Sequence, residues 1–538
     1  MSGTRLLGPA EVDIPGSGES AGGSPGRRTP ERVAPGGPPV PRVIRARRQW
    51  QTARLWLPAL AGFAATFAFG SFENDAALRA TVFAFVAIAV AQLLHDFPYP
   101  IRLIPASRIA LALLPLLAAA TVGAALAFVD ADGFVIAHVA PGLVFGGAVA
   151  IALQLLGDHA MAARPLRIAV LGGPEFVPAI RRELEAIGGR SEFEVVGWLN
   201  LGRHVNGDQD AREETLGRVR AAITEHRIDL LVKGPGSAAF RSGRTAYETI
   251  AAGCLDLPVR MIDGNQLYEQ VFGHVPIGTI DSAWFLFLMH PGFRTSSKRS
   301  KRGVDLAVGL LAMPIVLPLV VAGAIAITIG DRGPIFYRQR RVGERGCEFE
   351  ILKLRTMAPD AQASGAQWAS ATDTRVTRVG KVLRRLHIDE MPQLVNVLRG
   401  EMTLVGPRPE QPQITAELER LFPHYSRRLL VKPGVTGWAQ VRCGYAGTHL
   451  GTAWKLCHDL FYLKHRSLLG DLLIMLETIV IVTRDSHRPL RAPQAEFLYR
   501  VVEAHGLGYP DPDPGLAPPT PEIPLDAPAV PVPAAVPV

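Results

Sequence analysis

Long apolar stretches constrain this chain most, because they decide which parts of it can lie in water. Four of them occur early in the 538-residue sequence, at residues 55–72, 78–94, 109–129 and 134–156. Each approaches the roughly 20 residues that a helix needs to cross the hydrocarbon core of a bilayer. The second is the least clear, because it is short and Arg79 lies near its start. The pattern predicts four transmembrane helices within residues 47–160, and the alternative is a buried helical bundle.

The charges between these stretches alternate in sign. The basic residues are Arg42, Arg45, Arg47, Arg48 and Arg54 before the first stretch, and Arg102 and Arg108 between the second and third. The acidic residues are Glu73 and Asp75 after the first stretch, and Asp130 and Asp132 after the third. Loops rich in Lys and Arg stay in the cytoplasm. We therefore expect the N-terminus and the chain after the fourth stretch to be cytoplasmic, and the alternation argues against the buried bundle.

The composition of the chain predicts two tails that form no packed domain, and its net charge limits the partners that it can bind. Residues 1–46 are rich in Gly, Pro, Ser and Arg, and residues 506–538 in Pro and Ala, so we expect both tails to be disordered. The formal net charge is +8, but the basic residues crowd beside apolar stretches. A lipid bilayer and a phosphate-bearing substrate are therefore simpler partners than nucleic acid. The four cysteines have no metal-binding spacing and are expected to be reduced.

Residues 164–290 show a different pattern, in which short apolar runs alternate with helical patterns. The runs are 166–171, 194–198, 230–232 and 259–262, and the helical patterns are 177–187, 216–223 and 245–252. This alternation predicts a parallel, doubly wound α/β module. The turn Gly172-Gly173-Pro174 lacks the G-x-G-x-x-G fingerprint of dinucleotide binding. A tight turn in a regulatory or structural module is therefore favoured over a bound nucleotide.

A fifth apolar stretch, residues 305–329, carries basic residues on both flanks and contains Pro314 and Pro318. The flanking residues are Lys298, Arg299, Lys301 and Arg302 before it, and Arg332, Arg338, Arg340 and Arg341 after it. A simple crossing would leave one basic cluster outside, whereas proline inside a helix bends it. We expect a re-entrant membrane helix. An ordinary kinked fifth span would instead place the following domain on the outer side of the membrane.

Two adjacent carboxylates, Asp389 and Glu390, precede an apolar helical pattern that Gly400 can end. A carboxylate near a helix N-terminus can attack phosphorus, or it can simply cap the helix. The nearby Arg384 offers a charge for phosphate. Because Asp389 and a pyrophosphate repel each other, a divalent ion would help, and the two carboxylates suit Mg²⁺.

Other cations stand on short rigid segments of the same region. Lys353 and Arg355 follow the strand-like residues 349–352, and Arg408 lies in the turn Val405-Gly-Pro-Arg-Pro409. Arginine suits bidentate binding of phosphate, and the prolines fix its backbone. Together with a membrane-inserted helix, these residues favour phosphoryl chemistry at an interface.

Residues 297–490 resemble the bacterial polyprenyl-phosphate sugar phosphotransferases, the monotopic phosphoglycosyl transferases. The segments that carry the resemblance are Lys301-Arg-Gly-Val-Asp305, Gly333-Pro-Ile-Phe-Tyr-Arg-Gln339, Lys353-Leu-Arg-Thr-Met357, Ile388-Asp-Glu-Met-Pro-Gln-Leu394, Asn396-Val-Leu-Arg-Gly-Glu-Met402, Leu404-Val-Gly-Pro-Arg-Pro409 and Pro433-Gly-Val-Thr-Gly-Trp-Ala-Gln440. The preceding part is similar to the large members of that family. The resemblance implies four transmembrane helices, a Rossmann-like parallel α/β module, and a mainly α catalytic domain with a re-entrant membrane helix.

The resemblance also implies a reaction. Asp389 would attack the sugar-bearing phosphate of a UDP-sugar, release UMP and form a phosphosugar-aspartyl intermediate. Polyprenyl (undecaprenyl) phosphate beside the re-entrant helix would then take the phosphosugar. Glu390 would support Mg²⁺ or the acceptor step, Arg408 would hold phosphate, and Asp459 matches another acidic position of the family. The resemblance implies that the protein acts at the cytoplasmic face of a bacterial inner membrane. The reaction would be the initiating step of exopolysaccharide, capsule or O-antigen biosynthesis. Whether the protein forms a homo-oligomer is left open.

Two departures from the family pattern limit what is carried over. The family often has Ser-Pro at the helix break, whereas Leu317 precedes Pro318 here and Pro314 lies one turn earlier. Which proline bends the helix is therefore open. The segment Arg442-Cys-Gly-Tyr-Ala-Gly also differs from the usual form, which leaves the sugar open.

Two other classes of protein fit part of the pattern. A membrane-anchored nucleotide-sugar dehydratase or epimerase would need a G-x-x-G-x-x-G turn and a Tyr-x-x-x-Lys pair, and neither occurs after Asp305. A non-catalytic scaffold for polysaccharide assembly is disfavoured by the Asp389-Glu390 pair. Late in the chain, the apolar residues 471–483 are too few to span a bilayer and fit either a surface helix or a core helix.

Overall fold

The computed structural model of this chain describes some segments and not others. The described residues are 53, 56–62, 64–65, 140–162, 165–171, 176–186, 193–199, 209–233, 250–277, 280, 283–288, 298–331, 333–358, 375–422, 424–443, 449–483 and 522–523. The second and third predicted transmembrane segments, half of the first, and the tail 1–46 lie outside these residues. Of the tail 506–538, only Glu522–Ile523 is described.

The fourth predicted transmembrane segment corresponds to a helix, α1, at Ala140–Ala162. Its apolar side chains Val144, Phe145, Leu155 and Leu156 are exposed. An apolar helix with uncovered side chains needs lipid or another apolar partner around it.

The α/β module is built on a parallel sheet, as the alternating pattern predicts. Its strands and helices are β1 Leu166–Leu171, α2 Phe176–Ala186, β2 Phe193–Leu199, α3 Gln209–Glu225, β3 Leu230–Lys233, β4 Arg260–Asp263 and α4 Gly264–Leu267. The strands lie in the order β4-β3-β1-β2, and Glu522–Ile523 adds a short parallel edge beside β2.

Strand β1 is covered on both faces. Ile168 and Val170 pack into one apolar cluster with Val177 and Ile180 of α2. The alternate residue Leu171 belongs to a second cluster, together with Val219 and Ile223 of α3. Successive side chains of a strand point to opposite faces, so an almost continuously apolar strand requires a helix layer on each side.

The long helix α5, Lys298–Asp331, contains both Pro314 and Pro318. Among the described residues, it alone is long and apolar enough to cross a membrane, by length and composition. Its outward side exposes Leu310, Leu311, Ile315, Leu317, Val321, Ile325 and Ile329.

The opposite side of α5 is a stripe of residues, at helical spacing, that packs along the C-terminal domain. These residues are Lys301, Asp305, Gly309, Val316, Gly323, Ile327 and Gly330. At one end of the helix, Lys301 forms an ion pair with Asp471, and Asp305 accepts a hydrogen bond from Thr403. At the other end, Gly330 lies against Val379. Both ends of α5 therefore contact the same domain.

The C-terminal domain is mainly α-helical with two small sheets. Its elements are β5 Phe336–Val342, β6 Glu348–Leu354, α6 Arg378–Arg385, α7 Gln393–Arg399, β7 Thr403–Val405, α8 Pro412–Leu421, β8 Gly434–Thr436, α9 Trp438–Cys443, α10 His449–His465 and α11 Leu468–Thr483. Strands β5 and β6 form an antiparallel hairpin, and β7 pairs with β8 in parallel. Helix α11 covers the late apolar segment, and its buried Leu473, Ile474 and Glu477 favour the core-helix interpretation.

The α/β module is bonded directly to helix α10 and its neighbours. Trp438 donates its indole N–H to the carbonyl of Gly273 at 2.6 Å, and Val275 donates its backbone N–H to Cys457 at 3.0 Å. The buried Glu269 accepts from Lys464 and pairs with His465, each at 2.8 Å. Burial alone would raise the pKa of Glu269, but the bonds from His465 and Lys464 outweigh it and hold the pKa below its usual value.

We expect the substitution Glu269→Gln to weaken this junction by about 2 kcal/mol, because it removes the carboxylate that accepts from Lys464 and pairs with His465. Thermal unfolding of the full chain should begin at a lower temperature, and proteases should cut between the two domains sooner. Glu419→Gln, on the exposed side of α8, is the matched control. Equal unfolding temperatures for the two variants would contradict the role given to Glu269.

Candidate active site

The second strand of the hairpin brings a lysine to the centre of the site. In β6, Ile351 and Lys353 share one face, and Ile351 packs into a cluster with Leu394 and Val397 of α7. Asn396 of α7 fixes the strand by accepting from the backbone N–H of Leu352 and donating to the carbonyl of Glu350. This anchoring directs Lys353 towards the turn that precedes α7.

That turn carries the two carboxylates. Residues Ile388–Glu390 form a single 3₁₀ turn, entered through His387 in a left-handed conformation with φ 54°. Helix α7 begins after Pro392 and ends at Gly400, whose φ of 87° lets the chain turn away. Asp389 therefore lies in a separate turn and does not cap the helix, which argues against the alternative that it serves only as a helix cap. A left-handed residue and a proline separate the turn from the elements on either side.

Glu390 is held by two cations. Its Oε1 accepts from Lys353 Nζ at 2.7 Å and from Arg408 Nη2 at 2.5 Å, and its Oε2 accepts from Arg408 Nη1 at 3.3 Å. Burial would raise the pKa of Glu390, but Arg408 and Lys353 outweigh burial and place the pKa well below its usual value. Burial lowers the pKa of Lys353 against the pull of Glu390, and Glu390 in turn raises the pKa of Arg408. Glu390 is thus a fixed anion.

Asp389 is in the opposite situation. Its side chain is 8% exposed, and no residue in the described part of the chain donates a hydrogen bond to its carboxylate. Burial and the neighbouring Glu390 raise its pKa, against smaller opposing effects of Lys353 and Arg384. A carboxylate that is buried, unbonded and close to cations is available to bond to an incoming group.

Arg408 is positioned through its own backbone. Arg428 donates to the Arg408 carbonyl at 2.8 Å, and also to the Asp459 carboxylate and the Tyr425 hydroxyl, each at 2.9 Å. Asp459 is buried, and its carboxylate is bonded to Arg428. Sequence reasoning missed Arg428, since one arginine beside Arg427 carries no distinguishing pattern.

The remaining predicted cations, Arg384 and Arg355, lie on either side of Thr356. Arg384 donates to the Thr356 hydroxyl at 2.9 Å. Arg355 is buried, with its backbone N–H bonded to Ile335. Five of the predicted residues therefore converge, namely Lys353, Arg384, Arg408, Asp389 and Glu390. Arg355 lies beside this cluster, next to Thr356. Pro314 and Pro318 lie within α5 and take no part in it.

The residues present suit a metal held in part by substrate. Within the described ranges, no three His, Cys, Asp or Glu side chains are grouped so that they could hold a metal ion. Mg²⁺ commonly binds through one or two carboxylates together with substrate phosphates. Asp389 has oxygens free for this, whereas Glu390 would have to release a cation.

Comparison with known proteins gives consistent similarities. Residues 296–485 match the model of a family described as bacterial sugar transferase. A UDP-N-acetylgalactosamine-undecaprenyl-phosphate N-acetylgalactosaminephosphotransferase of Aeromonas hydrophila is 46% identical over 33% of this chain and 42% of its own length. A UDP-glucose:undecaprenyl-phosphate glucose-1-phosphate transferase of Caulobacter vibrioides is 39% identical over 36% of this chain and 74% of its own length. The exopolysaccharide production protein ExoY of Sinorhizobium fredii is 36% identical over 35% of this chain and 88% of its own length.

The extent of these matches differs among the relatives. The match spans 42%, 37% and 35% of three longer relatives, and 74% and 88% of two shorter ones. The shared region corresponds to α5 and the C-terminal domain. The site described above lies wholly within it.

We expect Glu390→Gln to destabilise the chain by about 2 kcal/mol, because Lys353 and Arg408 would lose the anion that they share. The effect is no larger because the side chain of Arg408 is partly exposed to solvent. The pKa of Glu390 is lowered by folding, so the loss should be complete at neutral pH. It should shrink as the pH falls through that lowered pKa. Denaturant titration at several pH values measures this. If the free energies of unfolding of the wild type and Glu390→Gln differed by the same amount throughout the acid range, the pairing of Glu390 with Lys353 and Arg408 would be contradicted.

For Asp389→Asn we expect the opposite sign, a higher thermal midpoint at neutral pH. The raised pKa of Asp389 means that folding disfavours its charge, and the neutral amide removes that cost. The gain should vanish at low pH, where the wild-type carboxyl is already neutral. Asp256→Asn, which removes an exposed carboxylate paired with Arg220, is the control and should not raise the midpoint. A lower midpoint for Asp389→Asn would show that the carboxylate stabilises the fold.

Proposed function

The chain belongs to the bacterial sugar transferase family, and we propose that it transfers a sugar 1-phosphate from a UDP-sugar to polyprenyl phosphate, releasing UMP. The observation that carries the proposal is the contrast between two adjacent carboxylates. Glu390 is fixed by Lys353 and Arg408, whereas Asp389 is free to react. The names of the relatives support the same reaction class.

In the first step, one Asp389 oxygen bonds to the sugar-bearing phosphorus of the UDP-sugar. The bond from that phosphorus to the oxygen of UMP breaks, and UMP leaves with the electron pair. Lys353, Arg384 and Arg408 surround the reacting turn and stabilise the charge that develops on the phosphoryl oxygens. Glu390 keeps Lys353 and Arg408 in place, so that they need not reorganise during the reaction.

In the second step, a phosphate oxygen of polyprenyl phosphate bonds to the same phosphorus. The bond between phosphorus and Asp389 breaks, which restores the carboxylate and yields a polyprenyl diphosphate sugar. Both steps displace oxygen from phosphorus and need no oxidant or reductant. Burial raises the pKa of Asp389, and a more basic carboxylate is a stronger nucleophile when it is ionised.

Mg²⁺ fits this site as a partner of Asp389 and the substrate phosphates. When bound, it would reduce the repulsion between the carboxylate and the pyrophosphate. The cations of the chain itself cannot do this alone, because two of them are already paired with Glu390.

The contacts of α5 support a re-entrant placement of this helix. Lys301 near its start and Gly330 near its end both contact the C-terminal domain. A straight crossing would separate these two ends by the thickness of the bilayer and draw the charged domain into lipid. A shallow, bent helix at the cytoplasmic leaflet of the bacterial inner membrane keeps the outward leucines and isoleucines in lipid and the site in contact with cytosolic UDP-sugars.

The sugar is the part of the proposal that a direct assay decides. Full-length protein in membranes is incubated with UDP-glucose, UDP-galactose, UDP-N-acetylglucosamine or UDP-N-acetylgalactosamine, together with undecaprenyl phosphate, and UMP is measured. We expect at least one donor to give UMP and a lipid-linked sugar. We expect Asp389→Asn to lower the rate by about 10³-fold or more, because the nucleophile is lost.

Asp256→Asn should match the wild type in the same membranes. UMP release that is unchanged in Asp389→Asn would refute the nucleophile, and release of UDP in place of UMP would refute the reaction class.

A further inference from the structure

Among the predicted phosphate-binding cations in the described part of the chain, Arg355 is the one whose side chain makes no hydrogen bond. Its side chain is only 6% exposed, and in the described part of the chain none of its three guanidinium nitrogens has a hydrogen-bond partner. By contrast, Lys353 and Arg408 share Glu390, and Arg384 donates to a hydroxyl.

An arrangement of this kind is costly. A buried guanidinium without a partner loses its hydration and gains no hydrogen bonds in return. Buried polar groups in folded proteins are almost always satisfied, so an exception calls for a ligand or a function. An anion with several oxygen acceptors, such as phosphate, matches the planar donor fork of arginine.

The surroundings of Arg355 identify the membrane side of the domain. Its guanidinium lies against Gly333, immediately after the end of α5. The preceding residue, Leu354, packs on Ile327 of α5 and pairs with Phe336 across the hairpin. Large apolar side chains are exposed on all three neighbouring elements: Ile329 on α5, Phe336 on β5, and Val382 and Leu386 beside α6. This apolar rim, defined by Ile329, Phe336, Val382 and Leu386, suits contact with lipid.

Arg355 is also connected to the reacting groups. Lys353 stands two residues before it and bonds to Glu390, and Thr356 follows it and accepts from Arg384. A group bound at Arg355 therefore lies beside the row of cations that surrounds Asp389, on the side that faces the apolar rim. An arginine side chain is long enough to meet a ligand by changing its rotamer, without movement of the strand.

We propose that Arg355 binds the phosphate group of the polyprenyl phosphate acceptor. This inference rests on the proposed function and names the residue that receives the second substrate. A lipid-borne phosphate arrives from the bilayer, where Arg355 meets the apolar rim. A nucleotide-sugar arrives from the cytosol, and its phosphates meet Arg408 and Lys353. The acceptor phosphate gives Arg355 the anion that the protein itself does not supply.

The test separates the two half-reactions. Exchange of labelled UMP into the UDP-sugar, measured without acceptor, reports only the first step. Undecaprenyl phosphate titrated in nanodiscs reports the second step. The donor is the UDP-sugar that releases UMP with the wild type, and the variants are Arg355→Gln, Arg355→Lys and the control Arg420→Gln, an exposed arginine on α8.

We expect Arg355→Gln to raise the KM for undecaprenyl phosphate about tenfold or more, with UMP exchange within about twofold of the wild type. Arg355→Lys should have a KM for undecaprenyl phosphate between those of the wild type and Arg355→Gln. Lysine keeps the positive charge but lacks the planar donor fork of arginine. Arg420→Gln should leave both steps unchanged.

Other outcomes overturn the assignment in distinguishable ways. Loss of UMP exchange in Arg355→Gln, with exchange intact in Arg420→Gln, would mean that Arg355 serves the donor or holds the fold. An unchanged KM for the acceptor with intact exchange would remove Arg355 from acceptor binding. Absence of UMP exchange in the wild type would instead refute the covalent step of the proposed function.

Discussion

The ion-paired group of Lys353, Glu390 and Arg408 is the interaction on which the site depends. It joins three segments that are distant in sequence: the end of strand β6, the 3₁₀ turn before α7, and the proline-flanked turn after β7. Because Glu390 lies next to Asp389, fixing Glu390 also fixes the backbone of Asp389. Lys353 and Arg408 are directed at Glu390, and Arg384 is directed at Thr356. Among the described residues, none donates a hydrogen bond to Asp389, so one carboxylate gives the site its geometry and the other keeps its oxygens available.

Helix α5 packs beside this group and presents an apolar face on its other side. Its inward stripe carries Lys301 and Asp305 at one end and small glycines at the other, which let β6 and α6 approach closely. Gly323 lies against Leu354, Leu383 and Ile388, so the helix packs directly on the turn that carries Asp389. The outward side is uniformly apolar. A helix with these two sides has one face packed on the site and one apolar face that suits contact with lipid.

The sequence predicts regular elements well and the site only in part. Strands β1 to β4 follow from short apolar runs, because a parallel sheet buried on both faces leaves no other pattern. The cluster of Lys353, Arg384, Arg408, Asp389 and Glu390 follows from motifs. The pairing within it does not, since nothing in the residue order says that Arg408 meets Glu390 and leaves Asp389 unbonded. The separate turn at Asp389 depends on the left-handed His387, whose conformation is set by packing and not by its type. Arg428 supports Arg408 through a backbone carbonyl, which a sequence cannot reveal.

Helix α10 joins the α/β module to the surroundings of the active site. Helix α10 presents Cys457 and Lys464 to the α/β module and Asp459 to Arg428. Arg428 in turn holds the carbonyl of Arg408, the residue that fixes Glu390. One helix therefore bears on both the module and the active site through consecutive turns. The α/β module therefore packs on the same helix that holds Arg428 beside the active site.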